Sequence, residues 1–519
     1  MSGPPEPTMP DGEGSVGAVE AAEAAVEGLP GAVSLAPSSV MPAIGGELVL
    51  SPDAMAGSPG GDVAPDSVRE GLLQAGPLAI AGVLASGTQL IVTVLLARLL
   101  TNRNYGALNQ LTGLFLIVSM PGSAVIVAVV RRVTAWRGSG SAHLVQRWAR
   151  CVHRQGTLAV VCFAVVVMAA GDALARLLNQ RHAAGVDAIL IAGAIWVLLC
   201  LDRGLLQAHR NYRTLAANLL VEAGVRTVAM ITLVVAGLGV VGAAVGVLVA
   251  EIVTAVHARI RADRVWAAEV EEEEARGERE PAAPGPSRSD AALDALRRRW
   301  TATFRVDRAL RAPPEQRRDL VTDLVAALVA LAMVALLQNI DVIVIGRDAP
   351  RISGSYAAVS VAAKALVFGA LVLGGYLLPE AAIRWRQGGH ALRQLAVTLL
   401  LLAVPSVLLL AIALGAPQLL LSVVFSARYL GAQAALVPLV LAMVCLSITV
   451  ILTMYLLAVG RRWITVLLVI GAVAATLAVS AAHGLPLVTA RADLVVQACL
   501  ALATVIGFVR VHHRRLARR

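Results

Sequence analysis

The stretch SYAAVSVAAKALVFGALVLGGYLLPE, residues 355–380, is long and apolar enough to cross a bilayer, and it carries a lysine near its middle. This residue, Lys364, is the only lysine of the chain, and the other 43 basic residues are arginines that fall almost entirely in short polar segments. An ammonium group at that depth costs roughly 2.5–3.5 kcal/mol, so it normally faces a wet cavity or a partner charge. The stretch predicts a membrane helix, and the position of Lys364 predicts that this residue lines a polar pathway through the membrane.

The rest of the chain has the same character. Hydrophobic residues make up 58% of the 519 residues and the mean hydropathy is +0.75, which exceeds the usual apolar share of soluble globular domains. We therefore predict an all-α membrane protein with about 12 spans. The predicted spans are 72–100, 107–130, 155–178, 185–206, 213–236, 238–258, 319–346, 355–380, 391–414, 432–458, 463–481 and 492–511.

The distribution of arginines predicts the orientation. With a cytoplasmic N-terminus, and with arginines near a span end counted in the adjoining segment, the cytoplasmic segments contain 34 arginines and the exterior segments contain 8, while Arg226 and Lys364 lie deeper within spans. This bias follows the positive-inside rule and places both termini in the cytoplasm. The net charge of +10 then reports orientation in a cytoplasmic membrane, and no basic, aromatic-bearing soluble surface favours nucleic-acid binding.

The segments outside the membrane divide the chain. Residues 1–66, which precede the first span, contain no Lys or Arg and predict a disordered cytoplasmic tail. Residues 259–318 carry Glu271–Glu274 and arginine-rich ends, which predicts a linker whose basic ends rest on anionic lipid headgroups; docking of a partner enzyme is the alternative. We expect six-helix bundles over 67–258 and 319–511, and a basic cytoplasmic tail over 512–519.

The two predicted bundles share an internal repeat. Tyr105 and Tyr356 are 251 positions apart, and Arg210 and Arg461 keep the same offset. Because six spans bring the chain back to its starting side, both halves enter the membrane in the same direction. Parallel repeats of this kind imply a pseudo-twofold axis along the membrane normal and a central cavity between the bundles.

Several stretches resemble polysaccharide exporters of the multidrug/oligosaccharidyl-lipid/polysaccharide (MOP) superfamily over roughly residues 72–480. They are Leu95-Leu-Ala-Arg-Leu-Leu100 with Asn104-Tyr-Gly106, Arg203-Gly-Leu-Leu-Gln-Ala-His-Arg210, Gln338-Asn-Ile-Asp-Val-Ile-Val-Ile-Gly346, Ser355-Tyr-Ala-Ala-Val-Ser-Val-Ala-Ala-Lys364, Phe425-Ser-Ala-Arg-Tyr-Leu430 and Leu456-Leu-Ala-Val-Gly-Arg461.

This resemblance implies a flippase, similar to those for O-antigen and lipid II, that carries a polyprenyl-diphosphate-linked glycan across the inner membrane of a bacterium by alternating access. Lys364 matches the Arg or Lys that such proteins commonly carry on span 8, and Asp341 matches a frequent acidic position late in span 7. The partners implied are the lipid-linked glycan, membrane lipids and glycan-assembly enzymes at the tail or linker. The acidic tail and the long linker depart from the family pattern.

Span 5 carries a candidate charge pair. At 1.5 Å per residue, Glu222 lies about 14 Å and Arg226 about 20 Å into the span. Their i, i+4 spacing puts both side chains on one helix face in the favourable order. A structural ion pair and an arginine shared with an incoming diphosphate are both open, since a guanidinium can grip a diphosphate with two hydrogen bonds.

Other polar residues in the spans extend the candidate site. At the same helical rise per residue, Lys364 lies about 14 Å from the exterior end of span 8. Asp341 lies about 30 Å along span 7, which predicts a position near the exterior surface, where it would anchor the loop of Arg347. The coupling candidates are Glu222, Asp341 and Glu251; for Glu251, a position at headgroup level is the alternative to carrying a coupling proton. The amides of Gln89 and Asn218 suit sugar hydroxyls or interhelical hydrogen bonds.

Three other functions compete with the flippase. The chain has no Walker A phosphate loop, and its five cysteines have no ligand-like spacing, so we expect no cofactor or metal. An integral-membrane glycosyltransferase would need a larger exterior segment than residues 415–431, so we expect no enzyme activity. A transport-inactive scaffold would tolerate neutralisation of Lys364, whereas a drug/cation antiporter of the same superfamily would favour acidic cavity residues.

Overall fold

The computed structural model describes residues 65–137, 142–275, 314–386 and 392–516. The predicted tail up to residue 64, most of the predicted linker (276–313) and residues 517–519 lie outside the described residues. The α-helices are α1 Pro65–Leu99, α2 Asn102–Ser119, α3 Gly122–Arg137, α4 Ala142–Leu177, α5 Ala183–Ala208, α6 Tyr212–Leu233, α7 Gly239–Ala275, α8 Pro314–Asp348, α9 Ser353–Arg386, α10 Leu392–Gly415, α11 Pro417–Val424, α12 Leu436–Ala458, α13 Trp463–Ser480 and α14 Pro486–Leu516.

The prediction of an all-α membrane protein is confirmed within these ranges, where every predicted span coincides with helix. Span 2 is divided between α2 and α3 around Met120 and Pro121. Helices of membrane-spanning length and hydropathy form 11 segments, one of which covers 61 residues, Tyr212–Glu272. That segment contains both α6 and α7, so it accounts for two of the twelve predicted spans.

A hairpin turn separates α6 from α7. The chain reverses through a single π-helical turn, Val234–Leu238, in which Gly237 has φ 90°, and the following Gly239 has φ 54°. Glycine suits these positions because it lacks the Cβ that disfavours positive φ. The two helices then pack along each other, so closely that a Cβ on Gly246 would lie 2.7 Å from the backbone nitrogen of Met230.

Helix starts preserve the 251-residue offset of the sequence repeat. Helix α2 begins at Asn102 and α9 at Ser353, while α6 begins at Tyr212 and α13 at Trp463. The turns that precede α6 and α13 each contain a residue at positive φ, Arg210 at 58° and Gly460 at 75°. We refer to α1–α7 as the N-terminal half and to α8–α14 as the C-terminal half.

The halves differ from the predicted boundaries at their ends. Helix α7 continues to Ala275, so residues 259–275, the first part of the predicted linker, are helix. The reason is packing: Trp266 is 2% exposed in an apolar cluster with Trp136 and Val145 of α3 and α4. The predicted tail from 512 likewise begins as helix, because α14 extends to Leu516.

Burial separates central helices from peripheral ones. In α9, 78% of the most apolar window is buried by the rest of the protein, whereas the corresponding shares in α4 and α10 are 17% and 22%. Their exposed side chains, such as Val166 (65%) and Leu400 (67%), are apolar. In a chain of this hydropathy such faces belong against lipid, and α9, which carries Lys364, lies at the centre.

The halves meet where the N-terminal turns of α2 and α9 cross, Asn102–Gly106 against Ser353–Ser355, and we call this end of the helices the crossing end. Asn102 Oδ1 accepts a hydrogen bond from the backbone N–H of Ser355 (3.0 Å), and its Nδ2 donates to Ser355 Oγ (2.8 Å). A Cβ on Gly106 would lie 2.6 Å from the backbone nitrogen of Gly354. The crossing therefore depends on a glycine at position 106.

The C-terminal half also caps a helix of the N-terminal half at the crossing end. Arg428, in a 3₁₀ segment (Ala427–Ala435), donates to the carbonyls of Arg98 (2.7 Å) and Leu100 (3.3 Å), and Tyr429 donates to that of Ala97 (2.5 Å). The last carbonyls of a helix lack partners within the helix. These bonds satisfy the C-terminus of α1 and hold the halves together at this end.

Candidate functional site

The predicted pair in span 5 is part of a larger charged group in the N-terminal half, the α6 cluster: Arg203, Glu222, Arg226 and Glu251. Arg226 Nη2 donates to Glu222 Oε1 at 2.6 Å and also to Glu251 Oε1, which the α6–α7 hairpin brings opposite Arg226. Arg203 Nη2 donates to Glu222 Oε2 at 2.5 Å. All four side chains are at most 2% exposed.

Two members of this cluster were not paired by the sequence analysis. Arg203, near the end of predicted span 4, is buried in α5, and its Nε also donates to Asn218 Oδ1 (2.8 Å). Glu251 is fully buried against Arg226, which lies inside predicted span 5, and this contact favours the coupling candidate over the headgroup position. Two arginines and two glutamates give the cluster a balanced charge, as a low-dielectric interior requires.

The amides predicted to meet sugar hydroxyls are engaged within the protein. Asn218 Nδ2 donates to the backbone carbonyl of Thr254 (3.0 Å) and lies 3.1 Å from His257 Nδ1, so this side chain joins α5, α6 and α7. Gln89 is buried in α1 with a partner of its own. The geometry of Asn218 is that of an interhelical hydrogen bond.

The C-terminal half contains a second group, the α9 cluster: Asn339, Asp341, Lys364, Tyr356 and Ser360. Lys364 Nζ lies 3.3 Å from Asp341 Oδ1 and 3.4 Å from Asn339 Oδ1. Asp341 Oδ2 accepts hydrogen bonds from the hydroxyls of Tyr356 (3.1 Å) and Ser360 (3.2 Å). Lys364 is 5% exposed, and it is therefore a paired ammonium in the middle of the most buried helix.

The predicted role of Asp341 as an anchor for the loop of Arg347 is wrong. Asp341 is fully buried and faces α9, not the loop of Arg347. Counting residues gave its distance along α8 but could not show that α9 covers this face of the helix. The acid and the lysine were both found in the sequence, but their contact depends on how α8 and α9 pack.

Sequence reasoning missed the polar side chains of α14. Asp493 and Gln497 are fully buried, and Gln497 Nε2 donates to Asp493 Oδ1 (3.1 Å) and to the carbonyl of Leu337 on α8 (3.2 Å). An acid and an amide spaced i, i+4 inside an apolar span were the available signal. Within the described residues, no group of three or more His, Cys, Asp or Glu side chains could hold a metal ion.

Helix α2 lies between the two clusters. On one side, the guanidinium carbon of Arg226 lies 5.8 Å from the ring centroid of Phe115. On the other side, a Cβ on Gly113 would lie 3.1 Å from the Cβ of Asn339. Because residues 113 and 115 are only two positions apart along α2, the clusters flank this helix at similar depth, one in each half.

Comparison with known proteins shows that this chain is similar in fold to solved membrane transporters. The sequence matches no protein-family model and no curated protein. The inward-facing conformation of a multidrug resistance MATE family transporter of the MOP superfamily is 13% identical, over 83% of this chain and 95% of that one, with a TM-score of 0.58. The outward-facing conformation of such a transporter is 14% identical, over 86% and 96%, with a TM-score of 0.50.

A flippase has the same architecture. The lipid II flippase MurJ in an inward closed conformation is 11% identical, over 83% of this chain and 87% of that one, with a TM-score of 0.53. At these identities the likeness concerns the fold, and it extends over nearly the whole length of each solved protein. The chain therefore has the fold of the MOP-superfamily transporters, which is shared by the MATE drug exporters and the lipid II flippase.

Proposed function

We propose that this protein is a flippase that moves a polyprenyl-diphosphate-linked oligosaccharide, or a similar cell-envelope glycan precursor, across the cytoplasmic membrane of a bacterium by alternating access. The fold supports transport, and the likeness to a flippase for a lipid-linked cargo supports this class of substrate. The cytoplasmic tail and linker are the proposed contacts for glycan-assembly enzymes.

The observation that carries the proposal is the loose hold on Lys364. Charge-assisted N–H···O bonds are typically about 2.7–2.9 Å long. The ammonium of Lys364 lies 3.3 Å and 3.4 Å from its two acceptors, so it is near its counterion without a tight bond. A diphosphate can displace Asp341 from Lys364 if Asp341 takes up a proton, because no bare carboxylate is then left in the membrane. By contrast, Arg226 is held at 2.6 Å by Glu222 and also by Glu251.

The proposed direction of access follows from the crossing end. Hydrogen bonds from Asn102 and Arg428 join the halves there. The arginine bias assigns this end to the exterior. We therefore propose that the halves are closed against each other on the exterior side in this conformation.

Depletion of the protein in its host tests the cargo. We expect one lipid-linked sugar to accumulate on the cytoplasmic leaflet, because its synthesis continues while its passage stops. Mass spectrometry of extracted lipid-linked sugars, with leaflet assignment by a membrane-impermeant modifying reagent, would identify the species. An unchanged pool of lipid-linked sugars after depletion would contradict the proposal.

A drug/cation antiporter is the second candidate. It is favoured by the likeness to multidrug MATE transporters and by the buried acids Asp341 and Asp493 in the C-terminal half. In that case depletion would increase sensitivity to cationic drugs and leave lipid-linked sugars unchanged. The flippase is preferred because Lys364 would repel a cationic drug at the site that Asp341 provides.

A further inference from the structure

Helix α14 carries a buried polar stripe that the proposed flippase mechanism does not use. Thr489, Asp493 and Gln497 are spaced i, i+4 and i+8, which puts them on one face of the helix, and all three are fully buried. Asp493 Oδ1 accepts the hydrogen bond from Gln497, but Asp493 Oδ2 has no hydrogen-bond partner among the described residues. The same holds for Thr489 Oγ1 and Gln497 Oε1.

The charged groups around Asp493 do not neutralise it. The ionisable groups near enough to interact electrostatically with Asp493 are Asp341 of α8, Lys364 and Tyr356 of α9, and the Cys445 thiol of α12. Helix α13 has no ionisable residue, and Arg428 of the 3₁₀ segment is bonded to carbonyls of α1. In the described part of the chain, no Lys, Arg or His nitrogen is within ion-pair distance of Asp493.

The balance of charges around Asp493 determines whether its carboxyl group is ionised or protonated. Asp341 and Asp493 are two carboxyl groups, and Lys364 is a single ammonium already 3.3 Å from Asp341. An ionised Asp493 would leave one net negative charge, with an unsatisfied oxygen, inside the membrane. A buried charge without a partner costs several kcal/mol, whereas a neutral acid costs only its hydrogen bonds.

We propose that Asp493 is a proton-binding site, which holds a proton in this conformation and releases it when α14 and α8 separate enough to admit water. The proton binds at the carboxyl oxygen and leaves to water as the carboxylate forms. A carboxyl group in water is ionised at neutral pH, so any conformation that wets Asp493 favours release. Proton binding is thereby linked to the conformational change, because the two conformations bind the proton with different affinity.

Infrared spectroscopy of the purified full-length protein in lipid tests this site without a transport assay, so its outcome is separate from that of the flippase proposal. At neutral pH we expect the carbonyl stretch of a protonated carboxyl group. The band should shift when the aspartates are labelled with ¹³C at the side-chain carboxyl carbon, should disappear in Asp493→Asn, and should persist in Asp172→Asn, a control at an exposed position.

The isotope shift assigns the band to an aspartate without any substitution, so absence of the band would overturn the proposal even if Asp493→Asn failed to fold. Asp493→Glu serves as a further variant in which the carbonyl band should move but remain. Either of two results would overturn the proposal: absence of an aspartate-derived band at neutral pH, or a band unchanged in Asp493→Asn. Stabilisation by Na⁺ that depends on Asp493, without the band, would show an ionised Asp493 neutralised by a metal cation instead.

Discussion

At the scale of residues, the α6 cluster behaves as a network with Glu222 and Arg226 at its centre. Glu222 accepts hydrogen bonds from Arg203 and Arg226, and Arg226 donates to Glu222 and Glu251. Removing either Glu222 or Arg226 therefore leaves uncompensated charges. We expect Arg226→Gln to lower the stability of the protein by roughly 3–5 kcal/mol, as for other broken buried pairs. Arg226→Gln with Glu251→Gln removes one acid and one base and keeps the Arg203–Glu222 pair, so it should recover most of the loss.

Thermal unfolding of the two variants in detergent measures this difference. Glu222→Gln combined with Arg226→Gln is the matched control, because it separates Arg203 and Glu251 from their partners. It should recover less than the Arg226–Glu251 combination. Equal stability of the two double variants would mean that these contacts do not carry the energetics of the cluster.

In the α9 cluster, we expect stability to depend on the balance between the charges of Lys364 and Asp341. Lys364→Gln leaves Asp341 buried without its cation, whereas Lys364→Gln with Asp341→Asn removes both charges. We expect the double variant to be more stable than the single variant, because no bare carboxylate remains. Thermal unfolding checks this, and a double variant less stable than Lys364→Gln would contradict the pairing.

Only part of each cluster could be predicted from the sequence. The i, i+4 spacing of Glu222 and Arg226 showed their contact, because both lie on one helix and helical periodicity fixes their separation. Glu251 joins Arg226 through the α6–α7 hairpin, and Arg203 reaches Glu222 from α5. Contacts between helices depend on packing angles and on which face is covered, and the same limitation produced the error at Asp341.

At the scale of elements, the crossing of α2 and α9 depends on Gly106. A side chain at this position would overlap Ser353 and the backbone nitrogen of Gly354, and backbone cannot move aside without separating the helices. We expect Gly106→Ala to destabilise the protein by roughly 1–3 kcal/mol, as overpacking does. Gly224→Ala in α6 is the control, since no atom lies within 4 Å of the added Cβ.

Gly224→Ala should be neutral or stabilising, because alanine is favoured over glycine in a helix by roughly 0.5–1 kcal/mol. Thermal unfolding of both variants in the same detergent makes the comparison. If Gly106→Ala proved as stable as Gly224→Ala, the close crossing of α2 and α9 would be incorrect.

Elements were easier to predict than contacts. A span of about 20 apolar residues is recognised by length and hydropathy alone, so every predicted span coincides with helix. The extension of α7 past residue 258 was missed because Trp266 and its neighbours are buried by α3 and α4, and hydropathy does not report such local packing. The division of span 2 at Pro121 had a local signal, since proline interrupts helical hydrogen bonding.

At the scale of the whole molecule, the orientation in the membrane remains a prediction of the arginine bias. In a cysteine-free background, we expect Gly140→Cys, Gly285→Cys and Gly388→Cys to resist a membrane-impermeant thiol reagent in intact cells. Pro350→Cys, near the crossing end, should react. A reactive Gly285→Cys would overturn the orientation, because it lies in the segment with the largest number of arginines.

In the proposed mechanism, Lys364 binds the diphosphate of a lipid-linked glycan during its passage through the protein. The most direct measurement is flipping of a polyprenyl-diphosphate-linked oligosaccharide by purified protein in liposomes. The wild type should flip it, Lys364→Arg should keep part of the rate because the charge remains, and Lys364→Gln with Asp341→Asn should fall to the rate of protein-free liposomes although it folds. Wild-type rates in that double variant would contradict the claim.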